Sequence, residues 1–192
     1  PVRRRICKEI MGSGKKFLPR LAPTSQVVTT AKALWEQEHR ECQHTACDIL
    51  LGHDPQSETE TLTLLDCVED LVQEKSWWDT VDCLSSVVGR HFHSQGVRER
   101  MDQWINAENM WLRRVAIICQ NTRGRDTDSK RLYDYCKQHA HDKEFFIAKA
   151  IGWALRSHAR VDKKGVQKFV RDNEEILQPL SIREALKHVG RV

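Results

Sequence analysis

Apolar residues recur at spacings of three and four along most of the chain, and an alternating strand pattern is almost absent. This period is typical of α-helices, in which residues three and four apart share a face. The stretch TAKALWEQEHRECQHTACDILLG shows it, and its apolar positions on one side are Leu34, Cys42, Ala46, Ile49 and Leu50. The pattern predicts an all-α fold.

Turn-forming residues divide this pattern into segments of about 10–18 residues, a normal length for globular helices. Glycine and proline interrupt helices, the first by backbone freedom and the second by lacking an N–H group. The breaks fall at GSGKKFLPRLAPTS, at GHDPQSE, and near Gly96, Gly124, Gly165 and Pro179.

A repeat of about 35 residues runs through these helices. Five segments begin with a bulky residue: CQHTAC at Cys42, WWDTVD at Trp77, WLRRVA at Trp111, FIAKAI at Phe146 and IREALK at Ile182. Their fifth positions are all apolar: Ala46, Val81, Val115, Ala150 and Leu186. This period predicts one curved helical-repeat solenoid over residues 1–192, with one helix of each pair on its concave face. Coincidence among amphipathic helices is the alternative.

The segment KSWWDTVD carries two adjacent tryptophans and two acids. Trp77 begins the series of positions i, i+4, i+7 and i+11 that continues with Val81, Leu84 and Val88, so we expect these residues in the core. Trp78 and Asp82 lie one turn apart on the neighbouring stripe of the same helix. The pattern therefore assigns the first tryptophan to packing and the second to a site.

Equivalent positions of the later repeats add basic and aromatic side chains. Arg114 follows Trp111 by three residues, Lys149 follows Phe146 by three, and Trp153 comes one turn later. A groove that holds these residues with Trp78 and Asp82 would be basic and aromatic, with one carboxylate. Such a groove suits cleavage of the N-glycosidic bond of a cationic base, since indole faces attract cations and a carboxylate stabilises positive charge or orients water. The alternative is structural: Trp78 caps a repeat and Asp82 pairs with Arg114.

Composition and charge argue against a membrane protein and favour a globular protein that binds a polyanion. The chain is 40% hydrophobic and 30% charged, with no apolar run near the roughly 18 residues of a membrane span and no signal peptide. Its net charge of +4 is unevenly spread: residues 1–20 hold about six net positive charges, residues 31–82 about ten net negative, and residues 83–192 about eight net positive. Separate basic segments favour a polyanion partner.

The cysteines and histidines show no metal-binding or disulfide pattern. The seven cysteines form no CxxC pair, so we interpret them as reduced core thiols of an intracellular, reducing compartment. The pairs HFH (His91, His93) and HAH (His139, His141) lack a companion ligand motif and are expected at surfaces or turns. No metal and no cofactor is expected.

Four motifs together resemble the AlkD family of DNA alkylpurine glycosylases, which are HEAT-like repeat proteins. They are KSWWDTVD, ENMWLRRVAI, KEFFIAKAIGWALR and LSIREALKHV, and their order and spacing agree from PVRRRICKEI onward. The resemblance implies hydrolytic removal of N3- and N7-alkylated purines from double-stranded DNA, leaving an abasic site, by a clamp that acts on the lesion near the duplex.

The resemblance also implies residue roles. Trp78 and Asp82 match the family's catalytic pair, and Arg114 matches a residue important for activity and DNA binding. Trp153 matches a second aromatic wall beside the lesion. The remaining matches, expected to bind substrate or DNA, are Phe145, Phe146, Lys149 and Arg113, although the repeat count puts Phe146 in the core.

The sequence differs from the family in two respects, and one alternative function stays open. Family members begin with further helices, so the chain is expected to lack its N-terminal helices, and Cys42 stands where the family often has an aromatic residue. The rival is a non-catalytic HEAT-like scaffold that binds DNA or protein through the same groove. We expect a monomer, cytoplasmic in a prokaryote or nuclear in a eukaryote.

Overall fold

The computed structural model describes residues 22–190, and this part of the chain is helical without strands. Its ten α-helices and one 3₁₀ turn (Gly124–Asp126) confirm the all-α prediction. The α-helices are α1 (Thr24–Glu36), α2 (Arg40–Gly52), α3 (Glu58–Gln73), α4 (Trp78–Arg90), α5 (Gln95–Trp104), α6 (Met110–Ile118), α7 (Ser129–Gln138), α8 (Phe145–His158), α9 (Lys163–Asp172) and α10 (Pro179–Ala185).

The chain divides into two compact units, residues 1–97 and 98–192, with the boundary inside α5. The basic segment of residues 1–20 lies outside the described residues. The single curved solenoid over residues 1–192 and its concave face stay predictions. Each unit is described by itself below.

Unit 1 consists of two packed helix pairs, α1 with α2 and α3 with α4. The pairs join because α2 packs on α4 and α1 on α3. Their facing side chains are almost fully buried and include Trp35, Leu50, Leu64, Val68 and Leu84. This core fixes the inward face of α4, and so determines which face of α4 points outward.

Unit 2 is organised around α8, which packs against α6, α7, α9 and α10. Ile147, Ile151 and Leu155 of α8 are fully buried. The contact with α10 is especially close: the Ser181 hydroxyl donates to the carbonyl oxygen of Ala148 at 2.8 Å, and Gly152 faces Ser181 across the same contact. Helix α8 therefore has one face in the core and a second stripe of residues that is only half-buried.

Side-chain caps begin several of the described helices. The side chains of Ser57, Asn109, Asp128 and Asp162 each accept a hydrogen bond from a backbone N–H in the first turn of the helix that follows. Such caps satisfy N–H groups that have no partner inside the helix. They fix the starts of α3, α6, α7 and α9.

The repeat positions behave mostly as the sequence predicts. Four of the five aligned positions are buried and Leu186 is half-buried; the buried ones are Ala46, Val81, Val115 and Ala150. Among the cysteines, Cys83 is half-buried and the five others of the described residues are buried, as expected of core thiols. Cys7 lies outside the described residues.

The core assignment of Trp77 is wrong. Val81, Leu84 and Val88 are 0–2% exposed, but Trp77 is 50% exposed. Helix α4 begins at Trp78, and Trp77 is its N-cap residue with an extended backbone, φ −150° and ψ 155°. The helical spacing therefore does not continue back to residue 77, and the side chain leaves the core face.

Candidate functional site

Helix α4 carries the first part of the candidate site on its outward face. Trp78 is the first residue of the helix and is 47% exposed, and Asp82 lies one turn later, half-buried. Val81, directly before Asp82, and Leu84, two residues after it, point into the core. An indole and a carboxylate one turn apart share a helix face, as the sequence predicts.

Asp79, the other acid of the segment, is held inside unit 1. Its carboxylate accepts hydrogen bonds from the Arg40 guanidinium, from Nε2 of His44 at 3.1 Å and from the Thr80 backbone N–H at 2.8 Å. Burial alone would raise the pKa of Asp79, but the hydrogen bond and charge of Arg40 outweigh it and hold this pKa below its usual value. Asp79 therefore joins α2 to α4 and leaves Asp82 as the acid of the outward face.

In unit 2, Arg114 lies under a cluster of aromatic rings. The residue is 4% exposed, and its Nη1 donates to the carbonyl oxygen of Phe146 at 2.7 Å, with the guanidinium carbon 5.9 Å from the centre of the Phe146 ring. The ring of Phe146 packs on Trp111 at 5.0 Å and on Phe145 at 5.3 Å between centroids. Phe145 is 58% exposed, so the cluster reaches the surface.

Helix α8 continues this cluster along one stripe. Phe146, Lys149 and Trp153 have the spacing i, i+3 and i+7, and all three are half-buried. The Lys149 ammonium lies 3.0 Å from a carboxylate oxygen of Glu184, whose second oxygen accepts a hydrogen bond from Arg156. These two partners, Lys149 first, lower the pKa of Glu184 to about 2. The repeat count that put Phe146 in the core is only partly right, since the ring is half-buried.

Arg113 is committed to the interior of unit 2. Its Nη1 donates to the carbonyl oxygens of Ala107 and Glu108 at 2.8 and 2.7 Å, and its Nη2 lies 3.5 Å from the carboxylate of Asp142. These contacts join the turn before α6 to the turn before α8. In this geometry Arg113 stabilises the packing of these two turns in unit 2.

The predicted residues thus form two groups. Trp78 and Asp82 share a face of α4 in unit 1. In unit 2, Phe145, Phe146, Lys149 and Trp153 form an aromatic and basic surface, and Arg114 is buried beneath the Phe146 ring. Within the described residues, no cluster of three or more His, Cys, Asp or Glu side chains has the geometry of a metal site. No helix among them is long and apolar enough to cross a membrane.

Comparison with known proteins identifies the family. The family model described as DNA alkylation repair enzyme matches residues 1–189. The chain belongs to the DNA alkylation repair enzyme family. Because this family repairs alkylated DNA, DNA is the partner that membership indicates.

A solved structure supports the same assignment. A protein from Enterococcus faecalis, described as a predicted DNA alkylation repair enzyme, superposes with a TM-score of 0.79 and 26% sequence identity. The match covers 100% of this chain and 84% of that chain. No curated protein sequence matches significantly.

Two further aromatic residues lie next to the candidate site residues of this DNA alkylation repair family member, and the sequence pattern does not single them out. Trp77 was expected in the core, yet it lies exposed beside Trp78. Trp111 begins a repeat segment, yet it is only half-buried and packs on Phe146. The signal that could have found Trp77 is its position directly before a helix start, where side chains do not follow the helical period.

Proposed function

We propose that the protein is a DNA glycosylase that hydrolyses the N-glycosidic bond of N3- and N7-alkylated purines in duplex DNA. The product is an abasic site, the first intermediate of base excision repair. The observation that carries the proposal is the exposed indole of Trp78 one turn from Asp82 on α4, in a chain of the DNA alkylation repair family.

The proposed reaction needs little acid catalysis. An alkylated purine is cationic, so it leaves as a neutral base when the C1′–N bond breaks and its electrons stay with the base. The sugar then carries positive charge, which the Asp82 carboxylate stabilises. A water oriented by Asp82 adds its oxygen to C1′ and loses a proton to the surrounding solvent. The indole of Trp78 contributes an attractive face for the cationic nucleotide.

Unit 2 would hold the nucleic acid in this proposal. Trp153 and Phe145 supply aromatic faces for the DNA, and Lys149, whose side chain is 38% exposed, supplies positive charge for a phosphate. Arg114 is 4% exposed and its Nη1 donates to the carbonyl oxygen of Phe146 at 2.7 Å, so in this proposal it supports the aromatic cluster from the interior of unit 2. The ring of Phe146 packs on Phe145 at 5.3 Å, and Arg113 holds together the turns before α6 and α8.

The proposal is tested by release of N7-methylguanine from duplex DNA. We expect release by the protein and a loss of about 100-fold or more in Asp82→Asn, because the substitution removes the charge that stabilises the sugar cation. Duplex binding should stay within about twofold. Asp134→Asn is the matched control, since Asp134 is an exposed carboxylate that pairs with Lys130 at 2.9 Å, and it should leave release unchanged.

Other outcomes would point elsewhere. If Asp82→Asn lost binding and folding together with release, Asp82 would be a structural residue. If folded protein released no base, the chain would be a scaffold of this family. Binding that weakens steeply with salt would then mark a DNA scaffold, because phosphate contacts release counterions, and insensitivity to salt would mark a protein-binding one.

A further inference from the structure

The turn between α3 and α4 is held by hydrogen bonds from helices distant in sequence. The carbonyl oxygen of Glu74 accepts from the indole N–H of Trp35 at 2.9 Å, and that of Lys75 accepts from Nη1 of Arg40 at 3.0 Å. Within the turn, the Ser76 hydroxyl donates to the carbonyl oxygen of Val72 at 2.6 Å. Residues 74–76 are therefore held by α1 and α2 through Trp35 and Arg40, and by the end of α3 through Val72.

Lys75 stands at the centre of this turn in a left-handed conformation. Its φ is +50°, a region that favours glycine and is strained for other residues. The side chain explains why a lysine is used here. Its ammonium donates to the carbonyl oxygens of Trp35, Glu36 and Gln37 at 2.8, 2.8 and 3.0 Å. These groups lie at the end of α1, where carbonyl oxygens have no partner inside the helix, and the negative end of a helix favours a cation.

The fixed turn presents two tryptophans at the surface. Trp77 and Trp78 follow it directly and are 50% and 47% exposed. Exposing two adjacent indoles costs free energy, since each would gain from burial. A strained, firmly bonded turn that leads into exposed aromatic side chains is typical of a binding surface ordered before its ligand arrives.

We propose that Trp77 is a second aromatic contact for duplex DNA, set in place by the Lys75 turn. It packs against a nucleotide next to the one that Trp78 faces. The inference rests on the proposed function and extends it, because it assigns to the DNA a side chain outside the pair formed by Trp78 and Asp82. Aromatic side chains bind nucleotides without regard to sequence, so Trp77 contributes to affinity and leaves the chemical step to its neighbours.

The test compares binding with chemistry in Trp77→Ala. We expect affinity for a duplex with an uncleavable abasic analogue to fall about tenfold, while the rate constant for N7-methylguanine release at saturating protein stays within about twofold. Trp77→Phe should restore most of the affinity. Val161→Ala is the control, since Val161 is a 42% exposed apolar residue of unit 2, and its binding should be unchanged.

Lys75→Met tests whether the turn acts through the tryptophan. The substitution removes the ammonium and keeps the length of the side chain. We expect weaker DNA binding in the wild-type background and a clearly smaller effect in Trp77→Ala, since positioning needs the side chain that is positioned. Equal effects in both backgrounds would show that Lys75 acts independently of Trp77.

The remaining outcomes separate this inference from the proposed function. A folded Trp77→Ala protein that binds as tightly as wild type would overturn the inference and leave the glycosylase proposal intact. Wild-type protein that binds duplex but releases no base would contradict the glycosylase, and the binding of Trp77→Ala would still decide the role of Trp77. Wild-type protein that binds no duplex would overturn both.

Discussion

Asp79 and Asp82 are three residues apart on α4, and their surroundings divide their roles. Arg40, His44 and a backbone N–H hold the Asp79 carboxylate, so its charge stabilises the contact of α2 with α4. Asp82 lies one turn from an exposed indole, where the proposed reaction needs a negative charge. Residue type alone therefore does not separate the two acids, whereas the hydrogen bonds of Asp79 assign it to the contact of α2 with α4.

Glu184 gives a prediction at the same scale. Its hydrogen bonds to Lys149 and Arg156 lower its pKa to about 2, so the folded state is stabilised by the ionised form. This contribution is complete above the usual pKa of glutamate and is lost as pH falls towards about 2. Glu184→Gln should lower the free energy of unfolding at pH 7 by about 2 kcal/mol, measured by urea denaturation.

The control for this experiment is Asp172→Asn. Asp172 pairs with Lys168 one turn away, and both side chains are exposed, so its loss should have no measurable effect at pH 7. A Glu184→Gln protein as stable as wild type at pH 7 would mean that solvent screens the cluster fully.

Single residues also show what a sequence pattern can and cannot predict. The shared face of Trp78 and Asp82 was predictable, because both lie inside one helix and follow its geometry. The exposure of Trp77 was not, because it depends on where α4 begins. That start follows from the Lys75 turn, whose hydrogen bonds come from Trp35 and Arg40, and no local pattern records contacts with residues that far away.

At the scale of elements, the contact of α8 with α10 depends on a missing side chain. A Cβ atom added at Gly152 would lie 2.5 Å from Cβ of Glu184 and 3.0 Å from the carbonyl oxygen of Ser181. The second neighbour is backbone, so it moves only if α10 moves. Glycine is thus required for the close approach of the two helices.

Gly152→Ala should therefore destabilise unit 2. We expect a loss of about 2 kcal/mol in the free energy of unfolding, because overpacking a helix contact outweighs the better helix propensity of alanine. Thermal denaturation followed by circular dichroism would measure it. Gly52→Ala is the matched control at the end of α2, where an added Cβ meets nothing within 4 Å, and its stability should not fall. A Gly152→Ala protein with unchanged melting would contradict this account.

Elements were predicted well where the chain itself marks their ends. The break at residues 53–57 lies in the GHDPQSE turn, and Pro179 begins α10. The break at residues 37–39 was missed, since neither glycine nor proline marks it. Its carbonyl groups are satisfied from elsewhere: the Gln43 amide donates to the carbonyl oxygens of Trp35 and Gln37, and the Lys75 ammonium contacts both.

For the whole molecule, buried histidines predict a loss of stability in mild acid. Burial lowers the pKa values of His53, His91 and His158, so these rings stay neutral in the folded protein. The unfolded chain binds their protons near pH 6.5. Stability should hence be highest above about pH 6.5 and decrease as pH falls below it, which urea denaturation between pH 7.5 and 5.5 would measure.

His158→Phe identifies one source of this slope. Within the described residues, neither ring nitrogen of His158 has a hydrogen-bond partner, and the ring packs edge-on to Tyr133 at 5.8 Å. Phenylalanine keeps the ring contact and cannot take up a proton, so the loss of stability with acid should become smaller. The same change at exposed His141 should leave the slope unaltered. An unaltered slope in His158→Phe would exclude this ring as a source.

The tryptophans differ in exposure, so their fluorescence can report on the surface at the start of α4. Trp35 and Trp104 are 1% and 2% exposed and emit from apolar surroundings, whereas Trp77 and Trp78 are about half exposed to water. A soluble quencher such as acrylamide therefore reaches the second pair first. A ligand that covers the start of α4 would shield these indoles and shift their emission to shorter wavelength, so occupancy of this surface is readable from unlabelled protein.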